Sequence, residues 1–276
     1  MFGISYWFLP LFAGTVWLGT LAGMLGYWLA AGSPHYPFMP ADQHIAYISD
    51  IGATFLRPLF IAGSTTMVVV FNLSFIAERW LRHRNRLTPN YTKREAALSV
   101  CAIIAAIIGG LGLILLTIFD VKTYPHTHDA LLVVFIAGYI VSAIFIDAEY
   151  QRLGIHFRQY RVLRASFWIK MAFIFIEVGL VIGFGVESYR KNRNTAAILE
   201  WIVSLVYIFY VWSFILDFLP AVNTRPKDNR FPPLRKRDDP EAQHTQEMGN
   251  VNGGPVYTNG GDAYTNGRHH DASENF

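Results

Sequence analysis

Residues 130–150 read ALLVVFIAGYIVSAIFIDAEY, and the fold of the chain follows from that stretch. Within it, Leu131-Leu132-Val133-Val134-Phe135-Ile136 is apolar at every position, without the in–out alternation of a membrane β-barrel strand. As a helix rising 1.5 Å per residue, about 20 such residues cross the roughly 30 Å of a bilayer's hydrocarbon core. A helix also satisfies its own backbone hydrogen bonds, which lipid would leave unmade at several kcal/mol per group. Five further stretches have the same character: Tyr6–Ala31, Phe55–Ala77, Ala96–Ile118, Ser166–Glu187 and Ala197–Leu219. With Ala130–Tyr150 they predict an all-α, polytopic membrane protein, a bundle of six transmembrane helices over residues 1–219.

The rest of the chain is organised around those spans. Charged residues gather between the apolar runs, although the composition is 53% hydrophobic overall. From residue 220 to 276 the chain turns polar, with Pro232-Pro233 and then a Gly/Asn/His-rich stretch in which Tyr257-Thr258-Asn259-Gly260 recurs as Tyr264-Thr265-Asn266-Gly267. That composition cannot bury a core, so residues 220–276 are expected to be a disordered cytosolic tail. The first span lacks a basic leader, and its apolar core is longer than that of a signal peptide, so it reads as a retained helix. The single cysteine, Cys101, lies inside the third span and allows neither an internal disulfide nor a thiolate zinc site.

The basic residues set the orientation. Sixteen lie on one side of the spans: Arg79, Arg82, Arg84, Arg86, Lys93 and Arg94 after span two, Arg152, Arg158, Arg161 and Arg164 after span four, and Arg225, Lys227, Arg230, Arg235, Lys236 and Arg237 after span six. Arg57, Lys122, Arg190, Lys191 and Arg193 make five on the other. The positive-inside rule then puts both termini in the cytosol and leaves the sequon Asn90-Tyr91-Thr92 without a glycan. A sequence pI near 8.9 would suit nucleic acid, but basic residues flanking spans report topology, and no nucleic-acid partner is expected. Glycines at Gly19/Gly23, Gly179/Gly183 and Gly109-Gly110/Gly112 read as close packing within the bundle. Trp7, Trp80, Trp168 and Trp201, near span ends, read as headgroup anchors.

Ionisable residues inside spans are costly and are functional candidates by default. Glu177 lies near the centre of span five, with Lys170 on the same helical face two turns earlier. Asp147, near the inner end of span four, is at a depth similar to Lys170, and an Asp147–Lys170 bridge is the structural expectation. At the outer face Asp50, His128, Asp129 and Glu200 lie near span ends and could converge. Histidine with carboxylates can bind a metal or move protons. No ligand-spacing motif, nucleophile elbow or phosphate loop is present, so no catalytic role, metal or cofactor is assigned. A hydrogen-bonded cluster closing the outer mouth of the bundle is favoured over catalysis.

At these residues the chain resembles a known family. Tyr47-Ile48-Ser49-Asp50-Ile51-Gly52-Ala53 before span two, His128-Asp129 before span four, and Ala197-Ile198-Leu199-Glu200-Trp201 opening span six carry the resemblance. The family joins the DRAM autophagy modulators, the FGF-receptor-activating protein and the fungal suppressor of phosphatidylinositol 4-kinase. It covers the six spans and supplies no established catalytic residues. Where the DRAM branch carries a Pro-Pro-Glu element, this chain has Thr54-Phe55-Leu56-Arg57-Pro58, nearer to the fungal branch. The resemblance implies a non-enzymatic protein that supports phosphoinositide and lipid homeostasis at the plasma membrane, beside a lipid-kinase complex. Other branches imply GPI-anchor lipid remodelling in the Golgi or ER, with the outer-face acids and histidines in acyl exchange, or autophagy modulation at the vacuole or lysosome. The basic run Arg225, Lys227, Arg230, Arg235, Lys236 and Arg237 fits membrane lipids as partner, anionic phosphoinositides among them. Transport through Glu177 has less support, because no inverted repeat or broken helix is visible.

Overall fold

A computed structural model of the chain describes residues 5–89, 93–156 and 161–231. The sequon at Asn90, Arg158, and the tail residues Arg235, Lys236 and Arg237 lie outside the described residues, as does the rest of the tail beyond Phe231. The helices are α1 (Phe8–Ala30), α2 (Ile48–Gly52), α3 (Arg57–His83), α4 (Lys93–Ile118), α5 (Pro125–His156), α6 (Arg161–Tyr189), α7 (Arg193–Ser213) and α8 (Ile215–Asn223), followed by a single 3₁₀ turn at Lys227–Asn229. Six elements are long and apolar enough to cross a membrane, with α7 and α8 forming one of them over Arg193–Asn223.

Apart from α1, the spanning helices run past their apolar stretches at one end or both, because a helix continues through polar flanks wherever its backbone bonds can still be made. Thus α5 begins at Pro125, where a missing N–H costs nothing, and α3 carries Pro58 in its first turn. Two features depart from the sequence reading. The connection between α1 and α3 is not all loop, since it folds the short helix α2. The last span tightens at Phe214, where Phe214 N–H bonds Val211 O and Asp217 N–H bonds Phe214 O three residues back. The helix resumes as α8, across the expected boundary at residue 219.

Short connections make sequential helices antiparallel neighbours. In order, α1 packs on α3, α3 on α4, α4 on α5, α5 on α6 and α6 on α7, and α7 returns to α1 and closes the ring. Both ends of the described bundle therefore emerge on one face, the terminal face. The connection 31–56 caps the other, the loop face. The core fills the ring with Trp17, Met24, Met67, Phe71, Leu113 and Phe214. By contrast α6 presents most of itself outward, as at Phe175 and Ile182.

The most intimate pair is α4 with α5. A Cβ added at Gly138 would lie 2.5 Å from Gly109 Cα and 3.0 Å from Ala105 O, so the two backbones touch through glycine. Lipid gives helices no hydrophobic drive to associate, and close backbone approach through small residues replaces it. The packing expectation holds for Gly109, Gly110 and Gly112, but Gly19 and Gly179 face open space. Trp201 is likewise a buried strut whose indole N–H donates to Ala46 O at 3.0 Å, not a headgroup anchor.

Candidate functional site

The loop face is built by the start of α7 fastening the connection 31–56. Asn194 Oδ1 accepts the amides of His44 at 2.7 Å and Ile45 at 3.0 Å. Arg193 grips both carboxylate oxygens of Asp42, at 2.8 and 2.6 Å, and that guanidinium holds the Asp42 carboxyl below its ordinary value. About two turns further in, Glu200 Oε2 accepts the amide of Ile48 at 2.8 Å, which caps an orphan donor at the start of α2. Asp50, in the first turn of α2, reaches back to the Tyr47 amide at 2.9 Å and also accepts Gln43 Nε2 at 2.6 Å. Burial pushes the Asp50 carboxyl up, against the Tyr47 and Gln43 hydrogen bonds and the nearby His128. Burial also pushes the Tyr47 phenol up to about 12, with Glu200 and Asp50 adding to it.

His128 joins the first turn of α5 to the end of α4. Its Nδ1 is 2.9 Å from both Leu116 O and Phe119 O. Carbonyls only accept, so Nδ1 carries the proton and, in the neutral ring, Nε2 is the open acceptor. His128 and Glu200 line one cavity with Ile48 and Ser49. The fold thus brings Asp50, His128 and Glu200 together at one mouth. Asp129, adjacent to His128 in sequence, is exposed and does not line that cavity.

This cavity adjoins a deeper one between α1, α5, α6 and α7, and the two share Trp17, Phe135, Ile136, Val181, Val203 and Ser204. The deeper cavity has ≈ 660 Å³ of empty space, its mouth included, and reaches Tyr139, Glu177, Tyr207 and Tyr210 near mid-depth. Glu177 Oε1 is buried there without a hydrogen-bond partner.

In the terminal half the expected Asp147–Lys170 bridge is replaced by another pair. Lys170 has no exposed surface, and its Nζ is 2.6 Å from Asp217 Oδ2, with Ser166 bonded to both. The ammonium also lies over the rings of Tyr150, at 4.7 Å, and Phe214, at 4.4 Å. Asp147 is buried with both carboxylate oxygens unbonded. The tightened turn at Phe214 sets the register of α8 that presents Asp217. Beyond this pair, Tyr150 donates to Glu78 at 2.6 Å, Arg82 binds Glu78 at 2.7 Å, and Glu149 stands 3.8 Å from Arg82. Asp217, Glu78 and Glu149 were missed by the sequence reading. Asp217 interrupts an apolar run as plainly as Asp147 does, and Glu78 and Arg82 have the i,i+4 spacing of a helical ion pair.

Of the basic run after span six, Arg225, Lys227 and Arg230 are exposed just past α8, on the face where Arg84, Lys93 and Arg94 are also exposed. Arg86 holds this region by donating to Ala221 O at 2.6 Å. Among the described residues, no group of three His, Cys, Asp or Glu side chains is arranged to hold a metal ion.

Comparison with known proteins bears on this arrangement as a whole. Residues 5–221 match the family profile described as Frag1/DRAM/Sfk1/Cwh43P N-terminal domain. The chain is similar to Protein SFK1 of Saccharomyces cerevisiae, 33% identical over 219 residues, covering 70% of this chain and 59% of that protein. It is similar also to Protein sfk1 of Schizosaccharomyces pombe, 27% identical over 220 residues, covering 80% of this chain and 66% of that protein. The chain thus spans about three fifths to two thirds of these relatives' lengths. No solved structure matches it. Because the profile takes in all six spans and both ends of the bundle, the chain belongs to the Frag1/DRAM/Sfk1/Cwh43 family of multi-pass integral membrane proteins.

Proposed function

We propose that this protein is a non-enzymatic organiser of membrane lipid that supports phosphoinositide homeostasis at the plasma membrane, with its terminal face in the cytosol. The observation that carries the reading is the exposed basic fringe of that face: Arg84, Lys93, Arg94, Arg225, Lys227 and Arg230. A Lys or Arg beside an anionic leaflet contributes about 1 kcal/mol, so the fringe suits phosphoinositide-bearing lipid. Arg235, Lys236 and Arg237 extend the same charge along the chain. A lipid-kinase complex is the partner the fungal resemblance supplies. The loop-face acids support the non-enzymatic reading, since Asp50 and Glu200 are occupied by backbone amides.

A second reading, GPI-anchor lipid remodelling in the Golgi or ER, draws on one observation. His128, whose Nε2 is an open acceptor, lines an apolar cavity with Glu200, where an acyl chain would fit. Autophagy modulation at the vacuole or lysosome has less support, given Thr54-Phe55-Leu56-Arg57-Pro58 in place of the DRAM element.

Glu200 variants separate the two main readings. A glutamine amide oxygen still accepts the Ile48 amide, so Glu200→Gln is expected to keep abundance, plasma-membrane location and phosphoinositide levels. Glu200→Ala leaves that donor unsatisfied, at about 1 to 3 kcal/mol, and is expected to lower abundance. A stable, correctly placed Glu200→Gln protein with normal phosphoinositides but defective GPI-anchor lipids would reject the first reading in favour of the second. General acid–base groups contribute ~100- to 10,000-fold, so that defect would be large.

A further inference from the structure

We propose that the mid-depth cavity between α5, α6 and α7 is a binding site for a lipophilic ammonium ion, with Glu177 as counter-ion and Tyr139, Tyr207 and Tyr210 as aromatic walls. This goes beyond the lipid-organising role and does not depend on it. Of the fourteen residues that line the cavity, Glu177 alone is charged, and one of its carboxylate oxygens is buried without a partner. Glu177 lies close to the middle of the span Val162–Tyr189, where an ionisable side chain without a partner is costly.

Among the described residues, no cation lines the cavity beside that carboxylate. Lys170, on the same helix, is committed to Asp217 and Ser166. The titratable groups that face Glu177 are phenols: Tyr139 from α5, and Tyr207 and Tyr210 from α7. No other acid lines the cavity, so a single positive charge balances the site.

The aromatic walls narrow the class of cation. The rings of Tyr139 and Tyr207 are 5.7 Å apart and inclined at 70°, and those of Tyr207 and Tyr210 are 6.1 Å apart at 32°. Tyrosine rings beside a carboxylate attract ammonium groups through the ring quadrupole. Apart from Trp17, Phe135 and Ser204, the remaining lining is aliphatic (Ile140, Val178 and Val181 among it), which favours a hydrocarbon body over a hydrated ion. The adjoining cavity toward His128 and Glu200 offers a route from the loop face.

The test uses the full chain purified into lipid nanodiscs and tetraphenylphosphonium, a permanently charged lipophilic cation, as probe. Equilibrium binding is expected to saturate at one site per chain, above the partition into empty nanodiscs. Glu177→Gln is expected to weaken it at least about tenfold, which is 1.4 kcal/mol, with elution volume and thermal unfolding unchanged. Tyr207→Leu should weaken it several-fold, and Tyr207→Phe, which keeps the ring face, should not. Asp228→Asn, on the exposed 3₁₀ turn, should bind as the wild type does. Tetraphenylmethane, the neutral analogue, should not compete, a control that needs no variant to fold. Unsaturable partition, equal binding by Glu177→Gln, or competition by the neutral analogue would each overturn the assignment.

Discussion

With no exposed surface and its Nζ 2.6 Å from Asp217, Lys170 can keep a charge inside the bundle only because the carboxylate, a hydroxyl and two aromatic faces replace its water. Removing one member of such a pair leaves the other charge uncompensated, at about 3 to 5 kcal/mol, whereas replacing both with apolar groups is often neutral or better. Lys170→Met is therefore expected to lower the unfolding temperature and the abundance of the protein sharply. Lys170→Met combined with Asp217→Leu should recover most of that loss. A double variant as unstable as the single one would show that the pair is not what holds this half of the bundle. The depth of Lys170 was legible from the sequence, but its partner was not. Asp147 and Asp217 stand at similar depths on different helices, and only the packing decides which faces the ammonium.

Between helices, the contact with least room is that of α4 with α5, where Gly138 meets Gly109 backbone to backbone. A methyl group at Gly138 has no flexible side chain to displace and must push the helices apart. Gly138→Ala is expected to destabilise by about 1 to 3 kcal/mol, as overpacking of a fitted interface does. Gly154→Ala, further along the same helix and facing open space, should be neutral or stabilising by up to about 1 kcal/mol, since alanine is the better helix former. Thermal unfolding of the two variants checks the contrast, and equal effects would remove the packing explanation. Glycine spacing named both kinds of site alike, because periodicity reports that residues share a face but not whether a helix lies against it. The same blindness hid α2, a helix too short to show a period, capped by its own Asp50 and held by Glu200 from far along the sequence.

For the whole molecule, the charge asymmetry of sixteen basic residues against five predicts a cytosolic terminal face. A reporter fused after the tail should be protected from external protease in intact cells, and Asn90 should carry no glycan. A mobility shift on deglycosylation that disappears in Asn90→Gln would reverse the orientation. The arrangement fits the ring of helices, in which α7 closes on α1 and brings the basic ends of α3, α4 and α8 to one face.

The sequence alone determined the class, the number of crossings and the depth of each ionisable group, because bilayer thickness converts a run of apolar residues directly into a span. It also placed Asp50, His128 and Glu200 near one mouth, since each stands at the same end of its helix. Tertiary structure alone decided what each group faces. Each residue turns a helix by about 100°, so His128 lines the cavity while adjacent Asp129 is exposed, and no one-dimensional pattern says where a neighbouring helix will lie. For the same reason only the packing of α6 against α5 and α7 shows that Glu177 lines a cavity shared with three tyrosines.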